Sequence, residues 1–114
     1  MEIRRGHLYL ADLNPRFGTE PGKLRPVVVI QTNLLNEAGH PSTVICPLTT
    51  QVLRKLKWLR IHLKKGESGL LEESDILADQ IRAVDNRRLQ KKLGALSRSA
   101  ELHLTQSLKV VLDL

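Results

Sequence analysis

The chain has 114 residues, a formal net charge of +6 and a hydrophobic fraction of 41%, enough for one folded unit over residues 1–114 and too apolar for a disordered chain. Its longest apolar run, Val27 to Ile30, falls far short of the roughly 18 residues that a membrane helix needs. The charged start Met1 to Gly6 has no apolar stretch behind it to make a signal peptide, so a cytoplasmic protein without membrane contact is expected, and its positive balance favours a polyanionic partner, nucleic acid or an acidic protein segment.

His7 to Leu13 reads as a strand that Asn14-Pro15 breaks, and a polar loop with Gly18 and Gly22 runs on to Arg25. Pro26 opens a second strand, Val27 to Gln31, whose β-branched apolar run suits the middle of a sheet. Asn33 to Pro41 is a connection with room for one helical turn. Thr43 to Thr49 is a third strand, and Pro47 within it predicts an edge or a bulge, because proline cannot donate to the ladder. Trp58 to Leu63 alternates, with Leu59, Ile61 and Leu63 on one side and Trp58, Arg60 and His62 on the other.

Ile76 to Val84 fits two periodicities: Leu77, Ile81 and Val84 suit a helix, and two-residue alternation suits a strand nearly as well. From Ser97 to Leu114 the pattern is helical, with Ser97 or Ser99 as cap and Ala100, Leu104, Leu108, Val111 and Leu112 on one stripe. Short strands followed by a terminal helix predict an α+β fold, a small curled β-barrel with a C-terminal α-helix.

The basic charge is uneven. Gln51 to Gly66 carries Arg54, Lys55, Lys57, Arg60, Lys64 and Lys65 and no acidic residue, which reads either as a solvated face or as an anion-binding one. Tyr9, Phe17 and Trp58 are the only aromatic residues. The chain therefore cannot stack successive bases on aromatic platforms, and any nucleic acid must be held by charge and hydrogen bonds. His7, His40, His62 and His103 are scattered, and His62 reads as an incidental surface residue. Cys46 stands alone in an apolar run and reads as a small buried hydrophobe. No metal site and no cofactor is expected.

Three segments together resemble the MazF/PemK toxin family. The first is Arg5 to Pro15, continuing through Gly18, Glu20 and Arg25-Pro26-Val27-Val28-Val29-Ile30. The second is Cys46-Pro47-Leu48-Thr49-Thr50. The third is Ser68-Gly69-Leu70 with Ser74, followed by Asp79 to Asp85. The match covers roughly residues 4 to 89, and the terminal helix is similar only in position and amphipathicity. The resemblance implies an SH3-like barrel, a homodimer, and sequence-specific, metal-independent cleavage of single-stranded RNA. It also implies a cognate antitoxin whose acidic, flexible segment covers the RNA groove, and a strand over Ile76 to Val84.

In that chemistry RNA supplies its own nucleophile, the 2′-hydroxyl, and the protein must place the phosphate, steady added charge and move two protons. The resemblance puts Arg25, Thr49 and Glu20 in the catalytic positions. The Arg25 fork suits phosphate oxygens, although the residue would otherwise read as a surface arginine paired with Glu20. Its high pKa favours charge stabilisation and donation to the leaving oxygen over a base role. Thr49 would hydrogen-bond a phosphate oxygen, or is simply a good strand former. Glu20 would be the base for the 2′-hydroxyl or would orient Arg25. Phe17, Ser74 and Gln80 match groove positions: Gln80 could read a base edge, and Phe17 could stack on a base or pack back on the barrel. Arg54, Lys55 and Lys57 would hold the RNA backbone and attract the antitoxin.

Two other readings compete. One is a non-enzymatic toxin of the same fold that poisons gyrase through the end of its last helix; Val110 to Leu114 reads as helix core, which counts against it. The other is a catalytically inactive RNA-binding module.

Overall fold

The computed structural model describes residues 1–20, 22–56 and 58–114. Seven strands form an antiparallel sheet: β1 (His7–Asp12), β2 (Leu24–Val29), β3 (Ser42–Thr49), β4 (Arg60–Leu63), β5 (Ser74–Leu77), β6 (Arg82–Asp85) and β7 (Leu89–Ala95). A short helix α1 (Asn33–Glu37) follows β2, and the long helix α2 (Arg98–Leu112) ends the chain. The spatial order is β4-β5-β3-β2-β1-β7, with β6 also paired to β3. The expected α+β fold is the one adopted, as a barrel-like curled sheet that is not closed, plus the C-terminal helix.

The apolar run in β2 is uninterrupted because both faces of its strand are covered. Side chains alternate along a strand, and successive residues enter two different cores. Leu8, Val28, Cys46 and Leu48 join Ile61, Leu63, Ile76 and the inward face of α2. Tyr9, Ala11, Val27, Val29 and Ile45 join Leu13, Val84 and Leu89. The Tyr9 hydroxyl donates to the Glu2 carbonyl at 2.8 Å and accepts the Arg4 amide at 3.0 Å, which fastens the N-terminal arm. The Ser97 hydroxyl caps α2 by accepting the Ala100 amide.

Four expectations need correcting. Pro47 lies in a central strand, not at an edge. On one side β3 pairs with β6 over Ser42 to Ile45 and with β5 from Leu48, and Pro47 falls in the gap where the partner changes. Ile76 to Val84 is two strands, not one: β5 ends at Leu77 and a turn at Ala78 and Asp79 redirects the chain into β6. Sequence reasoning placed no strand over Leu89 to Ala95, where β7 forms the outer edge beside β1. Finally, Val110 to Leu114 is not helix core, since Val110, Leu112 and Leu114 are all more than half exposed. The buried stripe of α2 stops at Leu108.

Candidate functional site

The β1–β2 loop and the facing ends of β3, β4 and β5 enclose a cleft of about 770 Å³. Arg25, Thr49, Glu20 and Ser74 all line it, so the structure gathers four of the residues singled out in the sequence. Phe17 and Gln80 are not among the lining residues. Phe17 stands 68% exposed in the loop, so it does not pack back on the sheet. The Gln80 amide donates to the Leu77 carbonyl in the turn after β5. Arg54 and Lys55 are exposed outside the cleft, and Arg54 pairs with Glu73 at 3.4 Å. Lys57 lies outside the described residues.

The register explains how Arg25 meets Thr49. β2 and β3 pair Val27 with Pro47 and Val29 with Ile45; continued two residues further, the same register sets Arg25 across from Thr49. Arg25 Nη1 donates to the Leu48 carbonyl at 3.1 Å, and Nε donates to the Gly22 carbonyl at 2.8 Å. The guanidinium is thus tied to two backbone points, one on the loop and one on β3. Burial, and then the nearby Arg16 charge, hold it below the ordinary arginine value, yet a guanidinium stays protonated in a protein. No ion pair joins Glu20 to Arg25 among the described residues, so the backbone, not Glu20, orients the fork.

The Thr49 hydroxyl accepts the Gln51 amide at 3.2 Å, which leaves its own proton to donate into the cleft. The Ser74 hydroxyl is committed to the Glu72 carbonyl at 3.0 Å and is buried. Three more cations that sequence reasoning did not place at the site, Arg16, Lys23 and Arg60, line the cleft beside Arg25, against the acids Glu20 and Glu72. Arg16 and Lys23 lie within the first matched segment, so its polar loop was the available signal. Arg60 was visible only as one charge in the basic run.

His62 is also not incidental. Its Nδ1 is 3.1 Å from Asp75 Oδ1 and its Nε2 is 3.4 Å from Glu73 Oε2. Cys46 is fully buried and its thiol is pushed up to about 12, by burial first and then by Asp79. Among the described residues, no three His, Cys, Asp or Glu side chains are grouped to hold a metal ion.

A family model described as PemK-like, MazF-like toxin of type II toxin–antitoxin system matches residues 4–112. The chain belongs to this family. The match takes in the terminal helix as well as the three segments that suggested it. Among relatives of this PemK/MazF toxin, Endoribonuclease MazF of Staphylococcus epidermidis is 37% identical over 112 residues, covering 98% of this chain and 92% of the relative. MazF from Deinococcus radiodurans superposes with a TM-score of 0.82 at 24% identity, covering 100% of this chain and 99% of that one. A mycobacterial endoribonuclease solved in complex with its cognate antitoxin gives a TM-score of 0.75 at 19% identity, covering 99% and 95%. At these identities the two structures bear on the fold alone, and the fold of this PemK/MazF chain is theirs.

Proposed function

We propose that this toxin is a metal-independent endoribonuclease that cuts single-stranded RNA at specific sequences in the cytoplasm. One observation carries the reading: Arg25, fixed by two backbone carbonyls, and Thr49, with a hydroxyl proton free to donate, line one cleft that also holds three further cations. Such a cleft suits a phosphodiester, and the 37% identical relative bears the name endoribonuclease.

In this mechanism the 2′-hydroxyl attacks the adjacent phosphorus in line. The O2′–P bond forms, the P–O5′ bond breaks, and the products are a 2′,3′-cyclic phosphate and a 5′-hydroxyl. Arg25 and Thr49 donate hydrogen bonds to the non-bridging oxygens as charge builds there. Glu20, at the loop side of the cleft, takes the 2′ proton, and Arg25 assists proton delivery to the departing O5′. Phe17, exposed beside the cleft, stacks on one unpaired base, and Gln80 reads a base edge. Arg54, Lys55 and Lys57 hold the flanking backbone. The chain works as a homodimer and is neutralised by an antitoxin whose acidic, flexible segment occupies the same cleft; a mycobacterial endoribonuclease solved with its cognate antitoxin supports a partner of this class.

The test incubates purified protein with a long defined RNA in the presence of chelator. Discrete fragments ending in cyclic phosphate are expected, with none from Arg25→Ala and none from a substrate whose riboses are all replaced by deoxyribose. Cutting by Arg25→Ala at the wild-type rate, or cutting of the deoxyribose strand, overturns the proposal. The exposed apolar end of α2, with Val110, Leu112 and Leu114, keeps gyrase poisoning as the second reading. Intact RNA together with trapped gyrase–DNA complexes would establish it. Intact RNA with a mobility shift would mark an inactive RNA-binding module.

A further inference from the structure

Opposite Thr49 on the neighbouring strand stands Asp75, a carboxylate that is 1% exposed. Burying a charge is costly unless it is fully hydrogen-bonded, and two donors and an imidazole nitrogen surround this one. Asp75 Oδ2 accepts the Leu53 amide at 2.9 Å and Arg60 Nη1 at 3.2 Å, while Oδ1 meets His62 Nδ1 at 3.1 Å. Arg60 Nη1 also donates to the Gln51 carbonyl at 3.0 Å. Both Nη1 hydrogens are therefore used, and Nε and Nη2 find no partner among the described residues. The Arg60 side chain is only 16% exposed, and the residue lines the cleft.

The β-ladders place it relative to the chemistry. Thr49 pairs with Asp75, and Leu77, two residues on, pairs with Arg60. Arg60 thus approaches the cleft from the side of Thr49 opposite to Arg25, about two strand spacings, or ~10 Å, from β3. A guanidinium with two donor groups unspent, locked by a buried carboxylate and a backbone carbonyl, is organised before any ligand arrives. Its fork matches phosphate oxygens.

We infer that Arg60 grips an RNA phosphate next to the one being cleaved, and that Asp75 is the positioning residue that aims it. This rests on the ribonuclease reading and deepens it, by giving the cleft a second phosphate subsite. Asp75 also holds the Leu53 amide, so the same carboxylate ties the start of the basic loop to the subsite.

The experiment measures affinity across a salt series for a single-stranded RNA oligonucleotide carrying one mapped cut site, with deoxyribose at that position so that it cannot be cut. Arg60→Gln is expected to bind about tenfold more weakly, and its log–log salt slope should be shallower by about 0.7, the value for one lost phosphate contact on a single strand. Lys109→Gln on α2 removes the same charge outside the cleft and should change neither.

Asp75→Asn separates positioning from charge. It makes the protein more positive, so bulk electrostatics would tighten binding, whereas loss of aim weakens it. Its fold is checked by circular dichroism and thermal melting. Should it fail to fold, Arg60→Lys decides: it keeps the charge but loses the fork, so affinity falls while the salt slope stays. If Arg60→Gln matches the wild type in affinity and slope while the wild type still cuts the all-ribose oligonucleotide, the subsite is refuted and the ribonuclease reading stands. If the wild type neither binds nor cuts, the ribonuclease reading falls and the subsite with it.

Discussion

Arg25 Nη1 and the main-chain carbonyl of Leu48 meet at 3.1 Å just past the end of the β2–β3 ladder. With the Gly22 carbonyl on Nε, the side chain is held at two atoms in the wall of the cleft. Lysine has the charge but a single nitrogen with no planar fork. Arg25→Lys should therefore fold with a thermal midpoint close to that of the wild type and lose about two to three orders of magnitude in kcat, the usual cost of removing a charge-stabilising donor. Single-turnover kinetics on a mapped site checks it. A Lys variant within threefold of the wild type would mean that position 25 supplies only charge.

Thr49 offers a cleaner substitution because its side chain is half-buried and, among the described residues, its hydroxyl oxygen takes only the Gln51 amide. Thr49→Ser keeps that oxygen and its donated proton, while Thr49→Val keeps the shape and loses both. The expected order of kcat is wild type, then Ser within about fivefold, then Val lower by roughly 10²-fold, with KM nearly unchanged if the bond to phosphate strengthens in the transition state. Equal rates for Val and wild type would reduce Thr49 to a strand former.

These residues were legible in the sequence for a definite reason. Arg25 follows a glycine loop and precedes a β-branched strand, whereas Thr49 by itself reads as a strand former and was singled out only by its place in the matched segment Cys46-Pro47-Leu48-Thr49-Thr50. Trp58 to Leu63 and the helix from Ser97 were also visible, because burial on one face imposes a period, whereas His7 to Leu13 and Thr43 to Thr49, covered on both faces, showed as apolar runs bounded by turn signals. Pro47 misled because its tolerance depends on β3 changing partners beside it, which local pattern does not carry. β7 was missed because Leu89 to Ala95 is mostly exposed at a sheet edge and shows no apolar alternation.

Asp75, Arg60 and His62 were illegible for a related reason. Asp75 sits in a strand that is buried throughout, a place where a charge survives only if distant residues supply its partners. The partners come from β4 and from the loop before it, and only the β4–β5 register brings them together. The basic run therefore looked like one uniform cationic face. In the structure Arg54 and Arg60 are paired with Glu73 and Asp75, and among the described residues of the run only Arg60 reaches the cleft.

His7 should make stability fall in mild acid. Burial first, and then Lys92 and Arg4, lower its pKa below the ordinary 6.5, with Glu2 and Glu101 opposing, and its Nδ1 is buried without a partner among the described residues. The unfolded chain thus binds a proton more readily than the folded one. Between the lowered value and 6.5, stability rises with pH and is lost as pH falls. Denaturant melts across that window should show a smaller slope in His7→Gln than in the wild type. An identical pH dependence in the two proteins would assign the acid sensitivity elsewhere.

Cys46 should behave as an inert core residue. It packs at 0% exposure among Leu8, Val28 and Leu48, and its thiol is pushed up to about 12, so almost no thiolate exists at pH 8. A disulfide reagent at pH 8 is expected to label the native protein only as fast as it unfolds, and to label one thiol at once in denaturant. Stoichiometric labelling of the native protein within seconds would show that the core opens beside β3.

The packing of β7 against the turn at Glu67–Gly69 gives opposite predictions for neighbouring residues. A Cβ on Gly94 would fall on the Ser68 carbonyl well inside van der Waals contact, and one on Gly69, which has a φ of +80°, would fall on the Leu93 carbonyl. Backbone meets backbone in both cases, so no flexible side chain can yield. Gly94→Ala should cost roughly 1–3 kcal/mol, the usual range for overpacked sites. Ser68 is the reverse case. It holds a φ of 57°, where a side chain is strained, and its hydroxyl is buried without a partner among the described residues. Ser68→Gly relieves both penalties, less the entropy that glycine adds to the unfolded chain, for a net gain of about 1 kcal/mol. The corresponding rise in thermal midpoint is about 3–6 °C for a domain of this size. Calorimetry on the two variants checks the pair, and a midpoint that falls for Ser68→Gly would mean that the serine hydroxyl has a partner the protein needs.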